Sequence, residues 1–207
     1  MLRPRPLPTS TLGTLGTLGA LVALVAVLVA LAPAARAGKP RRYHFELVEV
    51  KAGAGVTVDA TTVDAIRAEA EKVLASHPQL VATLTGAPPL DASVSVWRKY
   101  LTKQRLDGAY RVNMEVTGYE ETVEDQDPGD RVELRLTIRL SLRMFGEVLP
   151  RRTIAFTGDG SATVKADVGK KLRDRDRTFN LNGAIEVAVT DALATSLRTI
   201  ERAPAKK

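Results

Sequence analysis

The most regular pattern in the chain is the alternation of apolar and polar residues in Val132–Met144. Every even-numbered residue there is apolar, and every odd-numbered residue is polar. A period of two predicts a strand with one buried and one exposed face. Residues 110–117 and 154–165 alternate in the same parity. We therefore predict a three-stranded antiparallel meander, with a polar turn at Glu124–Asp130 and a second turn near Pro150.

The register of this meander can also be predicted, because apolar residues should face one another across the strands. Met144 is placed opposite Ile154, and Val116 opposite Ile138. Each opposite-charge pair across the strands contributes about 0.2–1 kcal/mol. The charged pairs of this register are Glu115–Arg139, Arg139–Asp159 and Glu133–Lys165.

A fourth strand is predicted at Tyr43–Val50. Its apolar residues change parity along the segment, which indicates a β-bulge or burial on both faces. Three helices are predicted from apolar residues at helical spacing. They are Val63–Leu74, capped by Thr61 or Thr62 and ended by His77-Pro78, a weaker helix at about 93–104 containing Trp97, and a C-terminal helix from about Asn180 to Ile200.

These elements predict an α+β fold with the order strand, helix, helix, three strands, helix. We expect a single domain over residues 38–201, with an antiparallel-rich sheet of about four strands and helices packed on one face. Residues 79–92 and 169–177 are predicted loops, and residues 202–207 a disordered basic tail. Gly158, Gly160 and Ala162 lack bulk on the buried face of their strand, so a helix can approach closely there.

The first 37 residues have the pattern of a secretory signal peptide. Arg3 and Arg5 precede an apolar stretch at Ala20–Ala32, and Ala35-Arg36-Ala37 supplies small residues for cleavage after Ala37. Retention as an uncleaved membrane anchor is the alternative, because no charged residue lies between Arg5 and Arg36. We therefore expect a periplasmic or secreted protein, with membrane contact only if the leader is kept.

Charge and cysteine content narrow the chemistry. The whole chain has 30 basic and 24 acidic residues, and three of the basic ones lie in the leader, so the remainder carries a modest surplus. This surplus does not predict a nucleic-acid partner. The chain has no cysteine. Disulfides, cysteine catalysis, thiolate metal sites and lipid attachment at an N-terminal cysteine are thereby excluded.

The most distinctive predicted surface feature is a row of basic residues on the polar face of the meander. We call it the basic ladder, and its members are Arg111, Arg135, Arg139, Arg143 and Lys165. An acidic envelope protein or an anionic wall polymer could bind there. The alternative is that acids on the neighbouring strands neutralise these bases, as the predicted register implies.

Candidate catalytic and metal sites are few. The two histidines are His44, expected to face solvent, and His77, expected at a helix end. Ser161 lies within Gly158-Asp-Gly-Ser-Ala, but inside a strand rather than at a phosphate-binding turn. The acidic turn does not have the spacing of an EF-hand calcium site. We therefore predict no catalytic residues, metal or cofactor.

The succession Leu106–Val116, Val132–Met144 with Phe145-Gly-Glu-Val, and an alanine-rich C-terminal helix resembles the periplasmic α/β domains of curli-secretion-type and penicillin-binding-protein-activator-type proteins. The resemblance implies a non-catalytic envelope module that binds other proteins. The alternative function is a glycan or peptide hydrolase, which needs two carboxylates in one cleft with separated pKa values.

Overall fold

The computed structural model describes residues 40–126 and 133–202. The leader, the middle of the acidic turn and residues 203–207 lie outside these ranges, and the domain boundaries remain predictions. The predicted order of elements is confirmed, with one short strand added. The elements are β1 (Tyr43–Ala52), α1 (Ala60–Ser76), β2 (Leu80–Val81), α2 (Val94–Gln104), β3 (Gly108–Gln126), β4 (Glu133–Val148), β5 (Thr153–Asp167) and α3 (Asp174–Arg202).

The strands form one five-stranded sheet in the order β2-β1-β3-β4-β5. The antiparallel meander β3-β4-β5 is confirmed, while β1 runs parallel to both β2 and β3. The parity change in β1 is a bulge, since the register against β3 shifts between Leu47 and Glu49. The fold is therefore α+β, with a sheet that has one more strand than predicted.

The predicted register is wrong by four residues in both hairpins. Met144 pairs with Gly158 rather than Ile154, and Val116 pairs with Leu142 rather than Ile138. A shift by an even number leaves every side chain on its predicted face, so alternation alone cannot detect it. The error arises because β4 does not end at Met144 but continues to Val148.

The corrected register changes the charge pairs as well. Arg143, and not Arg139, lies between Glu115 and Asp159. The pairings of Arg139 and Lys165 also move, and the observed ones are Arg139 with Glu120 and Thr163, and Lys165 with Thr137.

The main core lies between the sheet and two helices, α1 and α3. Its largest fully buried side chains on β4 are Leu136, Ile138, Leu140, Leu142 and Met144. Ile154 was expected on this face but is 66% exposed. The ladder between β4 and β5 is irregular beyond Gly146, which shifts the pairing at this end of β5.

The close approach of a helix to β5 is confirmed. A Cβ atom on Gly158 would collide with the backbone of Ala192 and Ser196, and one on Gly160 with the backbone of Ala188. The helix α3 therefore packs with its backbone against the strand, which larger residues at the two glycines would prevent.

The helix ends differ from the prediction in two places. The N-cap of α1 is Asp59, whose Oδ1 accepts a hydrogen bond from the Thr62 N–H at 2.8 Å. Neither Thr61 nor Thr62 caps the helix, because a carboxylate two or three residues before the free N–H groups satisfies them well. The helix α3 begins at Asp174 rather than near Asn180, so the last part of the predicted loop 169–177 is helical.

The expectation that all helices pack on one face is also wrong, because α2 lies on the opposite face. Its Trp97 is 2% exposed and forms a second, smaller core with Ala109 and Leu149. Trp97 Nε1 donates a hydrogen bond to the Pro89 carbonyl at 3.1 Å. Part of the second sheet face is thereby covered, near β1 and the start of β3.

Candidate functional site

The basic ladder lies on the open face of the sheet, where the structure brings most of its members onto one strand. The strand β4 carries three of them on one face at a spacing of four residues, namely Arg135, Arg139 and Arg143. The other two lie on the flanking strands, Arg111 on β3 and Lys165 on β5. The three β4 side chains are 39–55% exposed. The placement on one solvent-exposed face matches the sequence pattern.

Each arginine of the basic ladder has an acidic partner inside the molecule. On β4, Arg135 Nε donates to Asp167 Oδ1 at 2.9 Å and Arg143 Nε donates to Asp159 Oδ1 at 2.9 Å. The remaining two pairs are Arg139 Nη1 with Glu120 Oε2 at 2.6 Å and Arg111 Nε with Glu46 Oε2 at 3.8 Å.

These pairs reduce the attraction of the face for anions. Each of the four arginines lies opposite an acidic residue on at least one of its two neighbouring strands. These acidic residues are Glu46, Glu115, Glu120, Glu124, Glu147, Asp159 and Asp167. An incoming anion must compete with these carboxylates for each guanidinium. Within residues 40–126 and 133–202, Lys165 forms no ion pair shorter than 4.0 Å. The binding role of the ladder stays a prediction.

Glu115 and Asp159 are neighbouring carboxylates that a hydrolase could use in principle, and they lie on the same row of this face. Arg143 stands between them, and the Asp159 side chain is 68% exposed. A general acid needs a desolvated carboxyl that keeps its proton near neutral pH. An exposed carboxylate paired to an arginine lacks that environment.

His44 and Ser161 cannot act together as a base and a nucleophile. They lie on β1 and β5, which are separated by two strands in the sheet, so at least about 14 Å divides them at the usual strand spacing. His44 is 5% exposed, which contradicts the expectation that it faces solvent. The segment after β2 and the α2 layer cover it, and its Nδ1 contacts the Val81 carbonyl at 2.7 Å. Burial lowers the pKa of His44.

A concave site lies where α2 meets the turn between β4 and β5. We call it the turn groove. Its volume is about 390 Å³. Seven of its eleven lining residues are apolar, and two of the others are arginines. The apolar lining residues are Val94, Val148, Leu149, Pro150, Ile154, Ala155 and Ile200, and the polar ones are Arg98, Tyr110, Arg151 and Thr153.

The arginines of the turn groove differ from those of the basic ladder in their pairing. Neither Arg98 nor Arg151 has a carboxylate within 4.0 Å in the part of the chain that the structure describes. Both residues are exposed, and the neighbouring Ile154 is the second most exposed large apolar side chain described. The groove thus combines free positive charge with accessible apolar surface.

The sequence contains little signal that predicts this groove. Arg98 lies on the polar side of a weak helix, and Arg151 in a turn, and neither belongs to a periodic pattern. The groove exists because Leu149 and Pro150 carry the chain from the sheet toward α2, which alternation does not encode. The Leu149–Pro150 peptide bond is cis.

Two further grooves adjoin this region. One, of about 280 Å³, shares Val94, Arg98, Leu149 and Pro150 with the turn groove and is also lined by Trp97. The other, of about 400 Å³, lies on the second sheet face, and its titratable lining residues are His44 and Glu46. Since Glu46 is the single carboxylate there and faces Arg111, this groove also lacks a carboxylate pair.

In the part of the chain that the structure describes, no group of three or more histidine, aspartate or glutamate side chains is arranged to hold a metal ion. Across residues 40–126 and 133–202, no helix is long and apolar enough to span a membrane.

Comparison with known proteins gives a likeness at the level of structure. No family model matches the chain, and no curated protein matches it in sequence. Similar solved structures include a neuraminyllactose-binding hemagglutinin homolog from Helicobacter pylori, with 12% identity, a TM-score of 0.43 and coverage of 80% of this chain and 84% of that one. A minor lipoprotein from Acinetobacter baumannii has 11% identity, a TM-score of 0.36 and coverages of 78% and 96%. Lipoprotein B from Nitrosomonas europaea has 11% identity, a TM-score of 0.38 and coverages of 78% and 94%.

These neighbours are bacterial lipoproteins and a hemagglutinin homolog. The resemblance to curli-secretion-type and penicillin-binding-protein-activator-type domains stays a prediction.

Proposed function

We propose that the protein is a non-catalytic binding module of the cell envelope that holds an acidic protein segment with an apolar side chain in the turn groove. The observation that carries this proposal is the pairing of charges. Arg98 and Arg151 lack carboxylate partners in the described residues and line the groove together with apolar side chains, whereas the four arginines of the basic ladder are already paired. A partner gains the most binding free energy where it supplies the missing negative charge and covers exposed apolar surface.

A protein segment fits the turn groove better than an anionic wall polymer does. The groove is lined by seven apolar residues, and Ile154 is 66% exposed at its edge. A polyanionic chain would leave that surface wet, whereas a leucine or phenylalanine side chain next to an aspartate would cover it. The turn groove has a volume of about 390 Å³, which suits one or two side chains rather than a folded surface.

The chemistry of the groove favours binding over catalysis. Its titratable lining residues are two arginines and Tyr110. Burial raises the pKa of Tyr110 to about 12, so the phenol stays protonated and is a poor base near neutral pH. The hydrolase alternative would need a pair of carboxylates in a cleft.

The envelope location rests on the sequence of the leader, with its positive start, apolar stretch and Ala35-Arg36-Ala37 site. Cleavage after Ala37 and delivery to the periplasm or outside are part of the proposal. N-terminal sequencing of the protein recovered from cell fractions tests this part separately from binding.

The binding proposal is tested by selecting ligands from a displayed library of random peptides on the immobilised protein. Selected sequences are then made as synthetic peptides and titrated while the fluorescence of Trp97 is followed. Trp97 is the single tryptophan of the chain and lines the adjoining groove. We expect the selected peptides to carry aspartate or glutamate next to a large apolar residue.

Matched charge reversals separate the two surfaces. Arg98→Glu combined with Arg151→Glu should weaken peptide binding at least about tenfold, while Arg135→Glu combined with Arg139→Glu should leave it within about twofold. If the ladder variant loses binding and the groove variant keeps it, the site is the basic ladder. If no acidic sequence is selected, the proposal is wrong.

A further inference from the structure

The sheet has β2 at one edge and β5 at the other. The direction in which each backbone N–H and C=O group of β5 points can be derived from its hydrogen bonds. The Val168 N–H donates to the Leu134 carbonyl, so even-numbered residues of this strand point their backbone groups toward β4. In an antiparallel ladder this direction alternates with each residue. The odd-numbered residues therefore point their N–H and C=O groups away from β4. These residues are Asp159, Ser161, Thr163 and Lys165.

One contact confirms this assignment. Thr199 Oγ1 of α3 donates to the carbonyl of Thr157, an odd-numbered residue, at 3.2 Å. The odd-numbered residues from Thr157 to Asp167 are all exposed. Among the described residues, no other backbone or side-chain hydrogen bond reaches the outward groups of 159–165. An unpaired edge of this length is a template for another strand.

The sequence of this edge is complementary to itself. Two copies that pair antiparallel through their odd-numbered residues about a two-fold axis at Ala162 place Asp159 opposite Lys165 of the partner subunit. By symmetry, Lys165 then faces the partner subunit's Asp159. Ser161 lies opposite Thr163 of the partner subunit, so no like charges meet.

On the other face of the same pairing, Ala162 lies opposite itself at the axis and Gly160 lies opposite Val164 of the partner subunit. Gly160 and Ala162 are both buried beneath α3. The helix crosses the sheet diagonally, since Arg177 contacts Glu121 on β3 at 2.8 Å and Thr199 contacts Thr157 on β5.

We propose that a second copy of this chain docks on the β5 edge in this register and continues the sheet across a two-fold axis. Charged residues on an edge strand commonly prevent such pairing. Here the symmetric pairing places Lys165 opposite a carboxylate, the partner subunit's Asp159, although Asp159 already pairs with Arg143 of its own chain. This surface is separate from the turn groove, and the inference does not rest on the proposed function.

The first test is the oligomeric state of the purified protein by sedimentation velocity over a range of concentrations. A strand pair buries less surface than a standard interface, so we expect a reversible dimer with a dissociation constant of about 10–100 μM. Lys165→Asp should raise this constant at least about tenfold, as should Asp159→Lys. The double swap Asp159→Lys with Lys165→Asp should restore the dimer.

A backbone test complements the charge swap. Ser161→Pro removes an outward N–H and leaves the ladder to β4 intact, because Ser161 does not donate to β4. It should abolish the dimer with little change in circular dichroism. The chain has no cysteine, so oxidation of a mixture of Ser161→Cys and Thr163→Cys chains should give a disulfide dimer that neither variant gives alone.

The outcomes distinguish the possibilities. Loss of the dimer in both single reversals, recovery in the double swap and cross-linking only in the mixture support the proposed interface. A protein that stays monomeric at about 1 mM, well above the expected dissociation constant, overturns it. A dimer that survives both Ser161→Pro and Lys165→Asp uses another surface, which overturns it equally.

Discussion

Gly160 of β5 lies directly against the backbone carbonyl of Ala188 in α3, with no room between them for a Cβ atom. Gly158 makes the same kind of contact with Ala192 and Ser196. The helix that closes the main core is therefore seated on the strand at backbone-to-backbone distance. The alternating pattern of the strand predicted this approach, because small residues replace large ones on its buried face.

The first prediction is that Gly160→Ala strongly destabilises the fold. The added methyl group collides with the α3 backbone and must displace the helix, and overpacking of this kind costs about 1–3 kcal/mol. Urea unfolding of the purified protein, followed by circular dichroism, measures the change in the free energy of unfolding.

Gly183→Ala is the matched control for this substitution. Gly183 lies within α3, and a Cβ there meets nothing within 4 Å. The same change should therefore stabilise the protein by up to about 1 kcal/mol through helix propensity. Equal effects at the two positions would show that the close packing of α3 on β5 is absent.

The second prediction concerns the observed register of the hairpin β4-β5. A double-mutant cycle between Arg143 and Asp159 should give a coupling energy of about 0.2–1 kcal/mol, typical of an exposed ion pair. The cycle between Arg139 and Asp159, which are not neighbours in this register, should give almost none. The reverse result would restore the register predicted from alternation.

The third prediction is a pH dependence of stability that comes from His44. Burial lowers its pKa in the folded state, while the unfolded state keeps a value of about 6.5. Between the two values the unfolded chain binds more protons, so stability falls as the pH drops below about 6.5. Above that range the histidine is neutral in both states and the effect is absent.

Comparison of His44→Gln with the unsubstituted protein checks this effect. The loss of unfolding free energy between about pH 7.5 and about pH 5.5 should be smaller in the variant. Burial also lowers the pKa of His77, so His77→Gln identifies its share of the slope. An unchanged slope in His44→Gln would mean that this imidazole accepts a proton freely when folded.

The fourth prediction concerns the start of α1. Asp59→Ala removes the carboxylate that accepts from the N–H and the hydroxyl of Thr62 and should cost about 1 kcal/mol. Thr61→Ala, at a position that was predicted to cap but does not, should change stability by less than about half of that. Thermal unfolding of both variants under one buffer condition is sufficient. Equal costs would contradict the assignment of the cap.

Faces and element types could be predicted from the sequence because they follow from periodicity. The parity of β4, the bulge in β1 and the close approach at Gly158 and Gly160 each have a local signal. The register of the two hairpins had no such local signal. Pairing Met144 with Ile154 or with Gly158 leaves all side chains on the same faces, and the choice depends on where β4 turns, at Leu149–Arg152.

The alternation pattern also could not indicate that a residue is buried by a segment distant in the sequence. His44 alternates with Tyr43 and Phe45 and was therefore expected in solvent, but residues that follow β2 cover the second face at that point. The turn groove has the same origin, since α2 and the β4-β5 turn meet only in the folded chain. Alternation describes a sheet in isolation, and both features arise from what packs against it.

The position of α3 as the last element has a consequence for how the protein matures. The apolar row of β4 stays uncovered until the final 29-residue helix has been synthesised and has settled on the two glycines of β5. A chain that has not yet reached α3 therefore lacks the helix that covers this row.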